Sequence, residues 1–228
     1  MKRAVVLLSG GLDSAVTAYC ARKDVGKTGE LHAISFDYGQ KHYRELDCAA
    51  IIGEGLGVVT HPIIRIIGLE SLDTALLSGS VTEVPTGGVR EGIPSTWVPQ
   101  RNSIFLALAF AYAETVDADM VYAGFNCIDY SGYPDCRPEF VDSINKALNL
   151  ASKRFVETGR GIGIVTPLIR LSKSEIILLG DKMGVPFEDT WSCYLGGEKA
   201  CGVCDSCRIR LKGFKEAGIE DPIEYEEE

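Results

Sequence analysis

Ala4-Val5-Val6-Leu7-Leu8 runs directly into Ser9-Gly10-Gly11-Leu12-Asp13-Ser14, and this join decides the fold. The apolar run reads as a short buried strand, the glycine pair as a tight turn, and the residues from Asp13 onward as a helix. A helix entered this way points backbone N–H groups without intrahelical partners at whatever anion sits there. Gly10 and Gly11 carry no side chain to block close approach of a phosphate. Ser9 and Ser14 add hydroxyl donors. No lysine follows the glycines, so the stretch fails G-x-x-x-x-G-K-[ST] and is not a Walker A loop. The plain alternative is a strand–helix turn rich in small residues.

Around this join the pattern repeats. Apolar, β-branched runs at 3–8, 31–36, 58–64, 119–123 and 162–166 predict strands, and 13–23, 41–56, 103–116, 138–153 and 172–183 predict helices. In 138–153, Phe140, Val141, Ile144, Leu148 and Ala151 share one helical face. Ser172 followed by Glu175 reads as a capping box. The alternation implies an α/β fold, a doubly wound parallel sheet covered on both faces. Ligands of such sheets bind beyond the carboxyl ends of the strands, where the 9–14 loop lies. The stretch 78–102 breaks the rhythm with seven glycines and prolines and reads as a functional or mobile loop.

A chain of 228 residues suits one sizeable α/β domain with a small appendage, expected as 1–186 and 187–228. Only five apolar residues separate Met1-Lys2-Arg3 from Ser9, too few for a signal-peptide core, and no run approaches a membrane span. A cytoplasmic protein is expected. The net charge of −9 disfavours long nucleic acids as partners.

Four of the eight cysteines, Cys193, Cys201, Cys204 and Cys207, form C-x7-C-x2-C-x2-C. Such spacing suits four thiolates around one structural zinc ion, with no coordination position left open. A redox dithiol would not need four thiols, and Glu198, Lys199, Asp205 and Arg208 do not look like core. Gly26-Lys27-Thr28 is a decoy, because it follows a helix and lacks the earlier Walker glycine.

Three further segments carry polar and aromatic groups. Phe36-Asp37-Tyr38-Gly39-Gln40-Lys41-His42 follows the second predicted strand, where an adenosine could rest on the backbone of 35–37. Val98-Pro99-Gln100-Arg101-Asn102 offers Arg101 as a clamp for a carboxylate or phosphate. The segment 124–137 follows the fourth strand and includes Asn126, Asp129, Tyr130, Tyr133 and Asp135. Aromatic rings stack on a planar heterocycle while Asp and Asn side chains read its edge, so a purine-like substrate fits there.

The ordered set of SGGLDS, VPQRNS, GFNCIDYSGYPDCR, TPL at 166–168 with Lys173, and TWSCY followed by CGVCDSC resembles the 7-cyano-7-deazaguanine synthases. These belong to the ATP pyrophosphatase superfamily and to queuosine biosynthesis, and the likeness runs from the first strand to Cys207. It implies an ATP-dependent ligase acting on 7-carboxy-7-deazaguanine and ammonia through an adenylated carboxylate and an amide. It implies nucleotide binding by Leu8, Ser9, Gly10, Gly11, Leu12, Asp13, Ser14, Ala15, Val16, Thr17 and Ala18, with Mg2+ sharing the phosphate charge. Ser9, Asp13, Ser14, Arg101 and Lys173 would serve the phosphate chemistry. Arg101, Asn102, Asp129, Tyr130, Tyr133 and Asp135 would hold the deazapurine. A homodimer is expected. The rival readings are a tRNA-thiolating enzyme using Cys127 or Cys136, and a non-catalytic zinc module that binds a nucleotide.

Overall fold

The computed structural model describes residues 1–41, 43–86, 92–128 and 133–226. His42, Asp129 and Tyr130, singled out above, lie outside the described residues.

Five parallel strands form one sheet in the order β3-β2-β1-β4-β5. They are β1 (Arg3–Leu7), β2 (Glu30–Asp37), β3 (Ile63–Arg65), β4 (Met120–Tyr122) and β5 (Gly163–Val165). β1 is central, with Ala4 opposite Leu31 of β2 on one side and Met120 of β4 on the other. The chain winds outward from β1 to β3, then returns through α3 (Arg101–Thr115) to start the other half at β4. The strand order reverses beside the carboxyl end of β1, which is where ligands enter such sheets.

Alternate residues of β1 feed two cores. Ala4 and Val6 pack under α1 (Leu12–Val25), α2 (Arg44–Gly55) and α6 (Lys173–Met183), while Val5 packs under α3 and α4 (Pro138–Leu150). Burial of both faces makes the strands near-continuously apolar. A short α5 (Lys153–Thr158), capped by the Ser152 hydroxyl, follows α4.

The third strand is shorter than the 58–64 run predicts. Val59 donates to the Leu31 carbonyl at 2.8 Å and Ser35 to the Pro62 carbonyl at 3.1 Å, so the segment already lies along β2. Pro62 has no N–H, and regular pairing starts only at Ile63. The capping box is present: the Ser172 N–H donates to Glu175 Oε2 at 2.8 Å, and the Glu175 N–H donates to Ser172 Oγ at 3.3 Å.

The last helix, α7 (Asp205–Ala217), packs on α6. Phe214 meets Phe187 edge-to-face at 5.2 Å within the same core as α1. Arg210, 2% exposed, pairs with Asp221 through Nε at 2.8 Å and Nη2 at 2.9 Å and donates to Thr190 Oγ1 at 2.7 Å. This pair ties the chain after α7 to the stretch that leads into the cysteines.

Candidate functional site

The loop between β1 and α1 has the predicted form. Gly10 has φ +85°, and a side chain there would collide with the backbone carbonyl of Glu45 at the start of α2. Only glycine allows both the left-handed backbone and this approach. Ser14 Oγ accepts from the Ser9 N–H at 3.2 Å and donates to the Gly11 carbonyl at 2.9 Å. The Gly11 N–H donates to Ser9 Oγ at 3.3 Å. The loop is therefore held by its own hydroxyls with the N-terminus of α1 facing the carboxyl end of the sheet.

Lys173, the first residue of α6, reaches this helix start. Its Nζ lies 2.7 and 2.8 Å from the two carboxylate oxygens of Asp13. Both side chains are largely buried, 13% and 26% exposed. Two helix N-termini and an ammonium group thus converge around one loop, an arrangement that favours a polyanion. Asn126 supports the approach to α6, because its amide donates to the Leu168 and Leu171 carbonyls at 3.1 and 2.5 Å.

A cavity of about 290 Å3 opens over the loop, at the lower end of the range for small-molecule sites. Leu8, Ser9, Gly11, Leu12, Asp13, Ser14 and Lys173 form its floor. One wall is aromatic: Phe36 stacks on Phe105 at 4.2 Å, and Tyr38 meets Phe105 at 5.3 Å. Arg101, Asn102, Tyr133 and Cys136 line the cavity beside these rings. Arg101 Nη1 donates to the Tyr38 hydroxyl at 3.3 Å, and the guanidinium lies 5.8 Å from that ring. Burial works against the Arg101 charge, but its neighbours Tyr38, Tyr133 and Asp135 shift its value upward. The residue before it, Gln100, has φ 59°, a left-handed backbone uncommon outside glycine.

The predicted residues separate into groups. Ala15, Val16, Thr17 and Ala18 face the core from α1, 0% exposed, and do not line the cavity. Asp135, expected at the heterocycle, stands behind the start of α3. It is buried, its Oδ2 accepts the Asn102 backbone N–H at 3.2 Å, and it lies outside the cavity lining. A carboxylate on the first turn of a helix satisfies orphan donors there. Asn102 itself donates from Nδ2 to the Asp135 carbonyl and to Cys136 Sγ, at 3.2 and 3.3 Å. The Tyr133 hydroxyl is 2.7 Å from that of Thr96, which anchors the 78–102 stretch to this wall.

The third side of the cavity was not legible beforehand. Trp191, Ser192 and Tyr194 flank the first cysteine, and Ile209 and Arg210 come from α7. Glu45, also in the lining, sits in the first turn of α2. No periodicity in the sequence links these positions to the loop.

Cys193, Cys201, Cys204 and Cys207 come together with all four sulfurs within 4.8 Å of one another, so the group can bind a metal ion. Cys201 Sγ and Cys207 Sγ are 3.9 Å apart. The backbone N–H groups of Leu195 and Cys201 donate to Cys193 Sγ, and that of Cys204 to Cys201 Sγ, each at 3.4 Å. Hydrogen bonds from the Cys204 and Cys207 thiols hold the Cys193 thiol well below its ordinary value.

The family described as Queuosine biosynthesis protein QueC matches residues 3–218. A 7-cyano-7-deazaguanine synthase of Trichodesmium erythraeum is 48% identical over 225 residues, covering 97% of this chain and 99% of that protein. One from Thermoplasma acidophilum is 50% identical, covering 99% of this chain and 92% of that protein. Among solved structures, NMN synthetase from Francisella tularensis shares the fold, with TM-score 0.53, 21% identity, and coverage of 95% of this chain and 77% of that one. The loop, the Lys173 floor and the cysteine cluster all fall within the matched span, and the chain belongs to the queuosine biosynthesis protein QueC family.

Proposed function

We propose that this protein is an ATP-dependent carbon–nitrogen ligase that converts 7-carboxy-7-deazaguanine and ammonia to 7-cyano-7-deazaguanine. The observation that carries the reading is the Asp13–Lys173 pair in a cavity that is also lined by the half-buried Arg101. The family and the names of its members supply the substrate class.

A carboxylate cannot expel oxide, so it must be activated before an amine can replace its oxygen. In the proposed sequence a substrate carboxylate oxygen attacks the α-phosphate of ATP, and pyrophosphate leaves. Ammonia adds to the acyl carbon, AMP leaves and a proton is lost, giving the amide. A second ATP activates the amide oxygen in the same way. Departure of AMP with the remaining N–H protons gives the nitrile.

The residues have roles suited to these steps. The N–H groups at Gly10, Gly11 and Leu12, with Ser9 and Ser14, would cradle the departing pyrophosphate. Lys173 would offset developing phosphate charge, and Asp13 would hold its ammonium in place. Arg101 would orient the substrate carboxylate, with Tyr133 and Asn102 beside it. Mg2+ bound to ATP would share the triphosphate charge. Asp129 and Tyr130 stay as candidates for the heterocycle, and Asp135 acts through Asn102. We divide the chain into the α/β unit of 1–186 and a segment of 187–228 packed on it.

The four thiolates suit zinc, whose ligands at about 2.3 Å in a tetrahedron lie about 3.8 Å apart. The 3.9 Å between Cys201 and Cys207 is close to that separation. A saturated thiolate set keeps the ion out of the reaction. We also propose a homodimeric, cytoplasmic enzyme that needs no nucleic acid; its net charge of −9 supports the last point.

A thiolating enzyme would need a reactive cysteine in the cavity. Burial pushes the Cys136 thiol up to about 12, which leaves it protonated and unreactive at neutral pH. The decisive test incubates the purified protein with ATP, ammonium and 7-carboxy-7-deazaguanine and identifies the products by mass. The nitrile with AMP and pyrophosphate is expected. Absence of nitrile overturns the reading, and ADP with inorganic phosphate as sole nucleotide products overturns the role of the loop.

A further inference from the structure

The cysteine cluster and the glycine loop are joined through Trp191. Trp191, 2% exposed, donates its backbone N–H to the Gly10 carbonyl at 3.0 Å. Its indole Nε1 donates to the Cys193 carbonyl at 3.1 Å. The Arg44 guanidinium lies 4.1 Å from the centre of the indole ring and also donates to the Glu198 carbonyl, between the first two cysteines. Arg44 opens α2, and the next residue, Glu45, closes on Gly10. The loop is thus gripped from two sides, by Trp191 and by the start of α2, and both grips end on the cysteine-bearing stretch.

We propose that Trp191 is a positioning residue that couples metal occupancy at Cys193, Cys201, Cys204 and Cys207 to the shape of the 9–14 loop, so that metal and nucleotide bind cooperatively. The inference rests on the reading of that loop as the nucleotide site. A metal that fixes Cys193 fixes the carbonyl to which the indole donates, and the indole fixes the residue whose N–H holds Gly10. Coupling of this kind is reciprocal: whatever factor the metal adds to nucleotide affinity, the nucleotide adds to metal affinity. One neutral hydrogen bond relayed in this way corresponds to about three- to tenfold.

The experiment measures Zn2+ affinity by competition with a chelator, with and without saturating α,β-methylene-ATP, whose own binding is followed by calorimetry. The unmodified holoprotein should hold zinc about three- to tenfold more tightly with the analogue present. W191F keeps an aromatic ring and the backbone N–H but loses the indole donor, so its factor should fall to about one while it retains zinc. If W191F does not fold, R44A interrupts the same path from the α2 side. Unchanged zinc affinity in an unmodified protein that binds the analogue overturns the coupling, and an undiminished factor in W191F overturns the role of Trp191. An unmodified protein that does not bind the analogue overturns the nucleotide reading, and the coupling with it.

Discussion

Replacing Gly213 by alanine tests whether the floor of the cavity depends on a helix contact on its far side. Gly213 lies on α7, where the stem of Lys173 passes. An added Cβ would be 2.9 Å from Lys173 Cβ and 3.0 Å from Ile177 Cδ1, against ordinary contacts of 3.4–4 Å, and would collide with Lys173 Cγ. Lys173 Cβ is anchored in α6, so either the two helices part or the Lys173 side chain turns away. In both cases the 2.7 and 2.8 Å contacts with Asp13 are lost.

The stability terms oppose each other. Alanine gains about 1 kcal/mol over glycine within a helix, and overpacking costs about 1–3 kcal/mol. The net loss is about 0–2 kcal/mol, a fall in Tm of at most about 8 °C for a chain of this size. The catalytic term is larger, because a group misplaced by about 1 Å costs about a hundredfold in rate. Nitrile formation at saturating substrates should therefore fall about a hundredfold in G213A, while a calorimetric melt still shows one cooperative transition. A kcat within twofold of the unmodified protein would refute the dependence of Lys173 on this contact.

Three further outcomes are expected. Asp135→Asn should lower stability by about 1–2 kcal/mol through the loss of the charged acceptor at α3, while substrate affinity measured by calorimetry stays near that of the unmodified protein; a large loss of affinity with an unchanged melt would return Asp135 to the substrate. Cys204→Ser should reduce copurified zinc well below one ion per chain and lower Tm sharply, since structural metal binding contributes folding free energy; full zinc content by metal analysis speaks against the site. Glu114 accepts from the Arg154 backbone N–H at 2.7 Å and from Ser152 Oγ at 2.9 Å, which holds its carboxyl below the usual range. Its stabilisation is complete at neutral pH and lost as pH falls through that lowered value, so E114Q should melt with a shallower acid dependence below about pH 4.5, whereas parallel curves would exclude the linkage.

Much of this site could be read from residues close together in sequence. The 9–14 loop, the Ser172–Glu175 capping box and the C-x2-C-x2-C triplet are local patterns in which neighbouring residues satisfy one another. Assigning strands by apolar runs also works in a sheet buried on both faces. The same method overextends β3, because nothing in hydrophobicity reports the missing donor of Pro62. It gives no signal for α7, whose buried positions include Arg210 and Gly213 beside Cys207 and Phe214. The role of Asp135 and the Trp191 wall depend on partners 33 residues away in one case and across the whole fold in the other. Composition at a turn cannot distinguish a carboxylate facing a cavity from one facing a helix end.

The Asp13–Lys173 pair also has a consequence for how the protein is made. Its two members are 160 residues apart, and Trp191 follows later still. At about 5–20 residues per second, Lys173 leaves the ribosome's active centre about 8–30 s after Asp13. The loop emerges well before α6 and residue 191 and waits for the groups that hold it. Until then the nascent chain presents an incomplete anion site, so a product released before α6 lacks the ammonium at its floor, and one released before residue 191 lacks the grip on Gly10.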